Sequence, residues 1–430
     1  MEYCLRCLYP ANAKPTIILD DEGVCSGCRY HESRSKLEID WSERERMLEQ
    51  ILDEAKRIAK ARGNSHDCII PVSGGKDSHF QVWLLKEKYG MNPLLVTFNH
   101  CYNSPAGLRN LENLVARSGC DMVRYTIGLD SVRRVGRYML EKVGDITWHY
   151  HAGIYTYPFQ VAVQYNIPLI VWGEHGFAEL TGLVSIHDFV EFTRWSRKEH
   201  NMRGYEPHDL IGHNGITLGD VRPFIYPSDE EIMRTEVRGI YLSNFVDWDA
   251  KRQGELMIDE WGFAPVTYER DRTFNLYAKI EDHANDVHDY QKYLKFGYGR
   301  ATDDASMEIR HGRMTREEGL EMVRRYDHRE PNSLEMYCDF LGITKDYFYG
   351  LVDHLRDPAI WRRDAGGVWE VTDAVWRHSI GGREEKQRVV QVADRALGDN
   401  NRHLYYNHAN PPLPSGDPVL DKASVEFRVL

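Results

Sequence analysis

The sequence has no continuous apolar run that could cross a bilayer. Its longest stretch without Asp, Glu, Lys or Arg spans residues 146–173 and contains two prolines, two histidines and several side-chain amides. A membrane-spanning helix needs about 18 or more consecutive apolar residues, so we interpret this stretch as a buried helix followed by a buried strand. The N-terminus also has no basic segment followed by an apolar one, so we expect no signal peptide and a cytoplasmic protein.

An excess of basic residues is also missing. The chain has 54 Lys and Arg against 66 Asp and Glu, which gives a formal net charge of −12. Proteins built mainly to hold nucleic acid present broad basic faces, so this balance argues against that class. With 430 residues, of which 42% are hydrophobic, the chain is long enough for two or three domains with a sizeable core.

Disulfides are not expected, because thiols stay reduced in the cytoplasm. Four of the eight cysteines nevertheless fall in the first 28 residues, in two pairs that are each separated by two residues. This spacing lets both sulfurs of a pair face one ion, and two such pairs complete a tetrahedron. We predict a structural Zn²⁺ bound by Cys4, Cys7, Cys25 and Cys28, with no open coordination position for catalysis.

Strands and helices alternate along the middle of the chain. Short apolar runs at residues 68–72, 94–98, 122–127 and 169–172 are predicted strands, and the segments between them are predicted helices. This alternation predicts an α/β fold with a doubly wound parallel sheet, whose ligands bind beyond the carboxyl ends of the strands. From about residue 240 helical, charged segments dominate. We therefore divide the chain into a zinc-binding module (1–40), an α/β domain (41–240) and a mostly helical C-terminal region (241–430).

A glycine-rich turn follows the first predicted strand, with the sequence Ser73-Gly74-Gly75-Lys76-Asp77-Ser78. Two glycines let the backbone approach an anion closely, and backbone N–H groups at the start of a helix attract phosphate. The serine hydroxyls add donors and Lys76 adds a positive charge. Asp77 can cap the helix or carry a Mg²⁺ ion that bridges phosphates. The turn is therefore predicted to bind phosphates.

The turn is neither a P-loop of the Gly-x-x-x-x-Gly-Lys-Ser/Thr type nor a Gly-x-Gly-x-x-Gly dinucleotide motif. It resembles the ATP pyrophosphatase (PP-loop) superfamily, whose signature Ser-Gly-Gly-x-Asp-Ser it matches at all five fixed positions. The resemblance implies that residues 41–240 form a PP-loop, HUP-like domain that cleaves ATP between the α- and β-phosphates. It also implies an adenine site over the end of the second strand, at Phe98 and Asn99.

The arrangement of the whole chain resembles the bacterial N-acetyl sugar amidotransferase family. Four stretches carry the resemblance: the two cysteine pairs with their flanks, the turn, Trp172-Gly173-Glu174-His175, and residues 293–302. The family usually has Asn at the position of His175, which is a departure. The resemblance covers most of residues 1–345.

This family resemblance implies an ATP-dependent amidotransferase of surface polysaccharide biosynthesis, such as that of LPS O-antigen. The acyl oxygen of an N-acetyl group on a nucleotide-linked sugar would attack the α-phosphate of ATP. Ammonia would then displace AMP and leave an acetamidino group. The chain has no Gly-x-Cys-x-Gly glutaminase elbow, so we expect a separate glutaminase subunit to supply ammonia. The expected ligands are ATP, Mg²⁺ and structural Zn²⁺, with no membrane partner and no nucleic acid.

Individual residues can be assigned to these roles. We expect Lys76, Asp77 and Glu174 to be catalytic, the last because it follows a buried strand at the ligand-binding edge. His149 and His151 lie in the uncharged stretch and are expected to be core histidines, with a substrate contact as the alternative. From the family resemblance, the expected substrate contacts are Lys292, Lys295 and Arg300. Glu179, which lies close to Glu174 in the sequence, is a fourth expected contact.

Two other functions stay open. A PP-loop enzyme that thiolates tRNA would share the turn and a similar zinc module, but it would need reactive cysteines near the sheet edge. Cys101 is the single candidate for such a cysteine. A nucleotide-sensing or scaffold subunit would bind ATP without turning it over.

Overall fold

The structure is a computed structural model that describes residues 1–36, 39–99, 101–185 and 187–378. The part of the predicted C-terminal region beyond residue 378 lies outside the described residues. Among the described helices, none combines the length and the apolar character that crossing a membrane requires.

A five-stranded parallel sheet forms the centre of the α/β part, with the strand order β3-β2-β1-β4-β5. Its strands are β1 (Cys68–Pro71), β2 (Pro93–Asn99), β3 (Met122–Thr126), β4 (Leu169–Trp172) and β5 (Arg238–Tyr241). The four predicted strands are confirmed. β5 escapes prediction because Arg238 and Gly239 interrupt its apolar run.

Alternate residues of the strands enter two different cores. Cys68 and Ile70 of β1 pack with Leu48 and its neighbours on one face, whereas Ile69 packs with Phe159 on the other face. Because side chains alternate across a strand, helices cover both faces of the sheet. The prediction of a doubly wound parallel sheet is confirmed.

The helices of this part precede the strands or connect them, except for the last helix, which follows β5. They are α1 (Ser26–Lys36), α2 (Trp41–Ala61), α3 (Lys76–Trp83, continued by a π-helical turn to Lys88), α4 (Pro105–Ser118), α5 (Leu129–Val143), α6 (Trp148–Tyr165), α7 (Gly176–Glu179), α8 (Arg194–Ser196), α9 (Leu218–Val221), α10 (Asp229–Thr235) and α11 (Ala250–Trp261). The stretch 146–173 forms α6 and β4, as predicted.

The strand order reverses between β1 and β4. In sheets of this type, ligands bind in the crevice beyond the carboxyl ends of the strands at such a reversal. The glycine-rich turn leaves the end of β1, and Glu174 follows the end of β4. The fold therefore brings the two predicted elements to one crevice.

The C-terminal region is helical and ends in a small antiparallel hairpin. Its elements are α12 (Ala284–Phe296), α13 (Arg300–Arg310), α14 (Arg316–Tyr326), α15 (Ser333–Leu341), α16 (Lys345–Asp353), β6 (Trp361–Arg363) and β7 (Trp369–Val371). These helices share one buried core with α5 and α6, where Met139 and Trp148 join Leu294 and Phe340. The division of the chain at residues 40 and 240 stays a prediction.

Candidate functional site

The predicted phosphate-binding turn joins β1 to α3 and is tightly packed from behind. Gly74 has a φ of +83°, and a Cβ there would lie 2.7 Å from the Gly107 carbonyl oxygen and 2.9 Å from Leu111 Cβ. Glycine alone takes this conformation without strain and fits this space. Ser78 closes the turn, since its Oγ accepts a hydrogen bond from the Ser73 N–H at 3.0 Å.

The turn offers unused backbone donors. The N–H groups of Gly74, Lys76 and Asp77 have no acceptor among the described residues. No side chain caps α3 at Gly75. The first N–H groups of a helix need an acceptor from outside the helix, and the helix dipole favours an anion at that end. The turn therefore fits the phosphates of a nucleotide.

Lys76 and Asp77 form an ion pair at the start of α3. Lys76 is 6% exposed, and its Nζ lies 2.6 and 2.7 Å from the two carboxylate oxygens of Asp77. Gly254 of α11 makes room for this side chain, because a Cβ there would lie 3.0 Å from Lys76 Cδ. A buried ammonium needs such a partner. A phosphate can take the place of Asp77 at Lys76 and leave that carboxylate free to bind Mg²⁺.

Glu174 faces the same crevice from the end of β4. Burial raises the pKa of its carboxyl group and the nearby Asp77 carboxylate raises it further, while Lys76, Lys279 and Arg300 lower it. Among the described residues, no group donates a hydrogen bond to its carboxylate. A divalent cation between Asp77 and Glu174 would relieve their repulsion, so these two carboxylates fit a Mg²⁺ site.

The segment before α12 closes over the turn, which the sequence does not predict. A Cβ on Gly75 would lie 3.5 Å from Glu281 Oε2, and a Cβ on Gly107 would lie 2.3 Å from the Glu281 carbonyl oxygen. Lys279 has a φ of +56° and carries an exposed ammonium group. No motif marks this segment in the sequence, and its approach to the turn depends on the packing of α12.

His79 supports the turn from beneath and is also missed by the sequence analysis. It is fully buried, with Nδ1 3.0 Å from the Gly75 carbonyl oxygen and Nε2 3.4 Å from Asn113 Nδ2. Burial lowers the pKa of its ring to about 4, against an opposing effect of the Gly75 hydrogen bond. A neutral ring that donates through Nδ1 and accepts at Nε2 satisfies both contacts.

Because the pKa of His79 is low, we predict that acid destabilises the protein. The folded protein keeps this ring neutral down to about pH 4, whereas an unfolded histidine takes up a proton near pH 6.5. The unfolded state binds more protons in this window, so the free energy of unfolding falls as the pH drops through it. Between pH 7 and pH 4.5, urea unfolding should show a decrease that is smaller by about 2 kcal/mol in His79→Gln. Equal decreases in both proteins would contradict this account.

Two of the four predicted substrate contacts lie in a charge cluster beside the crevice. Arg300 donates to both carboxylate oxygens of Asp289, at 2.7 and 3.0 Å. Lys292 forms an ion pair with Asp303. The Arg300 charge also lowers the pKa of Glu174, which places Arg300 near the crevice. A substrate would have to compete with Asp289 and Asp303 for these cations.

The other two predicted substrate contacts are engaged elsewhere. Lys295 donates to the Gly144 carbonyl oxygen at 2.9 Å. Glu179 is 1% exposed and accepts two hydrogen bonds from Arg34, at 2.9 and 3.0 Å. Protein groups therefore hold both side chains, and their roles in substrate binding stay predictions.

Phe98 and Asn99 end β2 as predicted, and their side chains contact the protein itself. Phe98 is 4% exposed and stacks on Tyr125, with ring centroids 5.6 Å apart. Asn99 donates to Thr126 Oγ1 at 3.1 Å and accepts from the Cys101 N–H at 3.2 Å. The assignment of these two residues to an adenine site stays a prediction.

The four N-terminal cysteines form a compact buried cluster. Their sulfur atoms all lie within 4.8 Å of one another. The Cys4–Cys28 and Cys7–Cys25 sulfur distances are 3.8 and 3.6 Å. A tetrahedral site with Zn–S bonds of about 2.3 Å has edges of about 3.8 Å, so the cluster fits Zn²⁺. Four thiolates leave no position for a substrate, which makes the centre structural.

Arg310 connects the cysteine cluster to the segment that follows Glu174. Its guanidinium donates to Cys25 Sγ at 3.4 Å and to the Leu180 carbonyl oxygen at 2.8 Å. Four thiolates around Zn²⁺ carry a net charge of −2, so a buried cation beside them is favourable. The cysteine pattern predicts the ligands and does not reveal this distant partner.

A protein family matches part of the C-terminal region. Residues 269–375 match the family described as LPS biosynthesis protein WbpG-like, C-terminal domain. The match covers about a quarter of the chain and includes Lys279, Glu281 and Arg300. Over these residues the predicted resemblance to proteins of LPS biosynthesis is confirmed.

A curated protein is similar to this chain over part of its length. An uncharacterized protein of Methanocaldococcus jannaschii is 27% identical over 156 residues, which are 34% of this chain and 54% of that protein. The chain thus spans about half the length of this curated relative.

Two solved structures are similar at low scores. NMN synthetase from Francisella tularensis has a TM-score of 0.27 and 11% identity over 52% of this chain and 87% of its own. NH₃-dependent NAD synthetase from Campylobacter jejuni has a TM-score of 0.26 and 13% identity over 54% of this chain and 100% of its own. At these scores the likeness carries no functional argument.

Proposed function

We propose that this chain is an ATP-dependent amidotransferase that converts the N-acetyl group of a nucleotide-linked sugar into an acetamidino group, for LPS O-antigen or a related surface glycan. One juxtaposition carries the proposal. The turn with unused N–H groups packs against Glu281, within the region that matches an LPS biosynthesis domain. In this proposal the predicted phosphate-binding turn and a segment of the matched region share one crevice.

The residues of the crevice suit adenylation of a neutral acceptor. The N–H groups of the turn would hold the β- and γ-phosphates, and Lys76 would balance their charge as pyrophosphate leaves. Bound between Asp77 and Glu174, Mg²⁺ would supply further charge neutralisation. In this proposal Lys76, Asp77 and Glu174 act on ATP. Arg300 and Lys292 contact the sugar nucleotide.

The chemistry explains why ATP is needed. An amide oxygen is a poor leaving group, and transfer to the α-phosphate converts it into AMP, which leaves readily. Ammonia then attacks the imidoyl carbon and AMP departs. We propose that a separate glutaminase subunit delivers this ammonia to the cytoplasmic enzyme. Within this scheme residues 1–40 are the zinc module, residues 41–240 are the ATP pyrophosphatase domain and residues 241–430 contribute the acceptor side.

Transfer of sulfur to tRNA is disfavoured by the state of Cys101. This residue is 1% exposed, and burial raises the pKa of its thiol to about 12. Such a thiol stays protonated at neutral pH, and the thiolate is the nucleophile that sulfur transfer requires.

The proposal is tested by incubating the chain with Mg-ATP, excess ammonium and a panel of N-acetylated nucleotide sugars. We expect AMP and pyrophosphate release that depends on one sugar, and mass spectrometry should show its oxygen replaced by NH. Asp77→Asn should lower the release by about 100-fold, because a carboxylate that positions Mg²⁺ is lost. Asp121→Asn, at a position that is 81% exposed, is the matched control and should leave the rate unchanged. Nucleotide release without any change in the sugar would refute the amidotransferase.

A further inference from the structure

A buried hydrogen-bond relay lies at the start of α6, outside the site described above. Asp145 is 3% exposed, and its Oδ1 accepts hydrogen bonds from the Thr147 N–H at 2.7 Å and from the Thr147 hydroxyl at 2.8 Å. Its Oδ2 accepts from Arg203 Nε at 2.8 Å. The Thr147 hydroxyl in turn lies 3.1 Å from His151 Nδ1. The chain Asp145–Thr147–His151 is therefore continuous.

The relay fixes the tautomer of His151. A hydroxyl has a single hydrogen, and a carboxylate can only accept, so the Thr147 hydrogen points to Asp145. Thr147 must then accept from His151, which places the ring hydrogen on Nδ1. The lone pair of the neutral ring is consequently on Nε2. Among the described residues, Nε2 has no hydrogen-bond partner, and the ring is half-buried.

The fold places the start of α6, and with it His151, at the edge of the sheet that carries the phosphate-binding turn. α6 runs directly into β4, so its first residues lie at the carboxyl edge. A Cβ on Gly153 would lie 2.3 Å from the ring of Phe98, near the carboxyl end of β2. His151 lies two residues earlier on α6, one step further toward the carboxyl edge. β2 is the direct neighbour of β1, from which the turn departs.

One charge acts on both places. The ammonium of Lys279 lowers the pKa of Glu174 and also that of His151, so the crevice and the relay share an electrostatic neighbour. Burial lowers the pKa of His151 well below its usual value, Asp145 opposes this, and His288, Arg203 and Lys279 add to the lowering. The ring is thus neutral at pH 7, and its Nε2 lone pair is not protonated.

We propose that His151, positioned by Thr147 and Asp145, is the general base of the adenylation step. This inference rests on the proposed function and names the group that handles its proton. As the acyl oxygen forms its bond to the α-phosphorus, the bond from that phosphorus to the bridging oxygen breaks and pyrophosphate leaves with the electron pair. The amide N–H electrons become the C=N bond of the imidate, and the proton moves to His151 Nε2.

The reaction needs such a group because an O-adenylated amide that keeps its N–H proton is a strong acid with a positive charge. The nearby ammonium of Lys279 would disfavour the positive charge on the adenylated amide. Transfer of the N–H proton to His151 Nε2 removes that charge from the amide. When ammonia later adds to the imidoyl carbon, the imidazolium can return its proton to the same nitrogen. The proposal gives His151 a catalytic role, whereas the sequence predicts a core histidine.

The test compares His151→Asn and His151→Ala with the wild-type chain in sugar-dependent pyrophosphate release, together with ATP affinity. The Asn side chain keeps a donor for Thr147 and lacks the acceptor at Nε2. We expect both variants to lose about 100-fold in rate, a loss typical of a general base, with unchanged ATP affinity. Added imidazole should restore a large part of the rate to His151→Ala, which a purely structural role would not allow.

The same substitution at His288, whose ring centroid lies 6.2 Å from that of His151, is the control and should change the rate by less than about threefold. Rates of the His151 variants within threefold of wild type, or losses that imidazole does not restore, overturn the inference. If the wild-type chain itself shows no sugar-dependent release, the proposed function fails and the inference fails with it.

Discussion

Alanine at position 74 should abolish turnover of ATP. Gly74 has a φ of +83°, and an added Cβ would lie 2.7 Å from the backbone oxygen of Gly107. The left-handed conformation costs a non-glycine residue about 1 kcal/mol, and the close contact forces the turn away from α4. Because misplacement of a substrate by about 1 Å can cost 100-fold, we expect Gly74→Ala to lower pyrophosphate release by at least about 100-fold.

Gly63→Ala provides the matched control for this variant. Gly63 also has a positive φ, of +68°, but apart from its chain neighbours no atom of the described residues lies within 4 Å of the position of its Cβ. This variant should lose about 1 kcal/mol of folding stability and keep its activity. Measurement of both variants by urea unfolding and by pyrophosphate release separates backbone strain from displacement of the turn. Full activity of Gly74→Ala would show that the turn does not position ATP.

Serine in place of Cys25 should release the metal and unfold the N-terminal module. The buried cluster around the cysteines contains few other apolar side chains, namely Tyr9, Ala13, Ile17, Val24 and Tyr298 among the described residues. The metal must therefore supply much of the folding free energy. Structural zinc sites in isolated modules bind with about 10–16 kcal/mol, so loss of one thiolate should cost at least about 3 kcal/mol of stability.

The experiment measures zinc content and thermal unfolding of Cys25→Ser beside Cys120→Ala. Cys120 is also buried, at 6% exposure, and lies outside the cluster. The control should retain its zinc and unfold near the wild-type temperature. Retention of one zinc per chain by Cys25→Ser would contradict the four-thiolate site.

Features that depend on neighbours in the sequence were the predictable ones. The apolar run of β4 and the Cys-x-x-Cys spacings each contain their own signal, because a strand or a metal knuckle is decided within a few residues. The turn at Gly74 is also determined by a few neighbouring residues, and the sequence therefore predicts it. β5 lacks such a signal. Its residues Arg238 and Gly239 are part of the sheet because they pair with the neighbouring strand β4.

Features that depend on distant contacts could not be predicted. Lys279 and Glu281 precede α12, which shares a buried core with α5 and α6, and no residue spacing encodes their approach to the crevice. Glu179 shows the opposite case: its position after β4 favours a ligand contact, yet Arg34 of the cysteine module holds its carboxylate. The negative charge of Glu179 does not by itself determine whether the buried carboxylate contacts a ligand or a protein side chain such as Arg34.

The contact of Arg310 with the cysteines also sets an order of events during synthesis. Cys25 and Arg310 are 285 residues apart in the chain. At about 5–20 residues per second, a ribosome needs roughly 15–60 s to cover this distance. The thiols that emerge first must capture their metal, or remain exposed to oxidants, throughout that interval before the guanidinium arrives. The earliest residues made are thus among the last to reach their final surroundings.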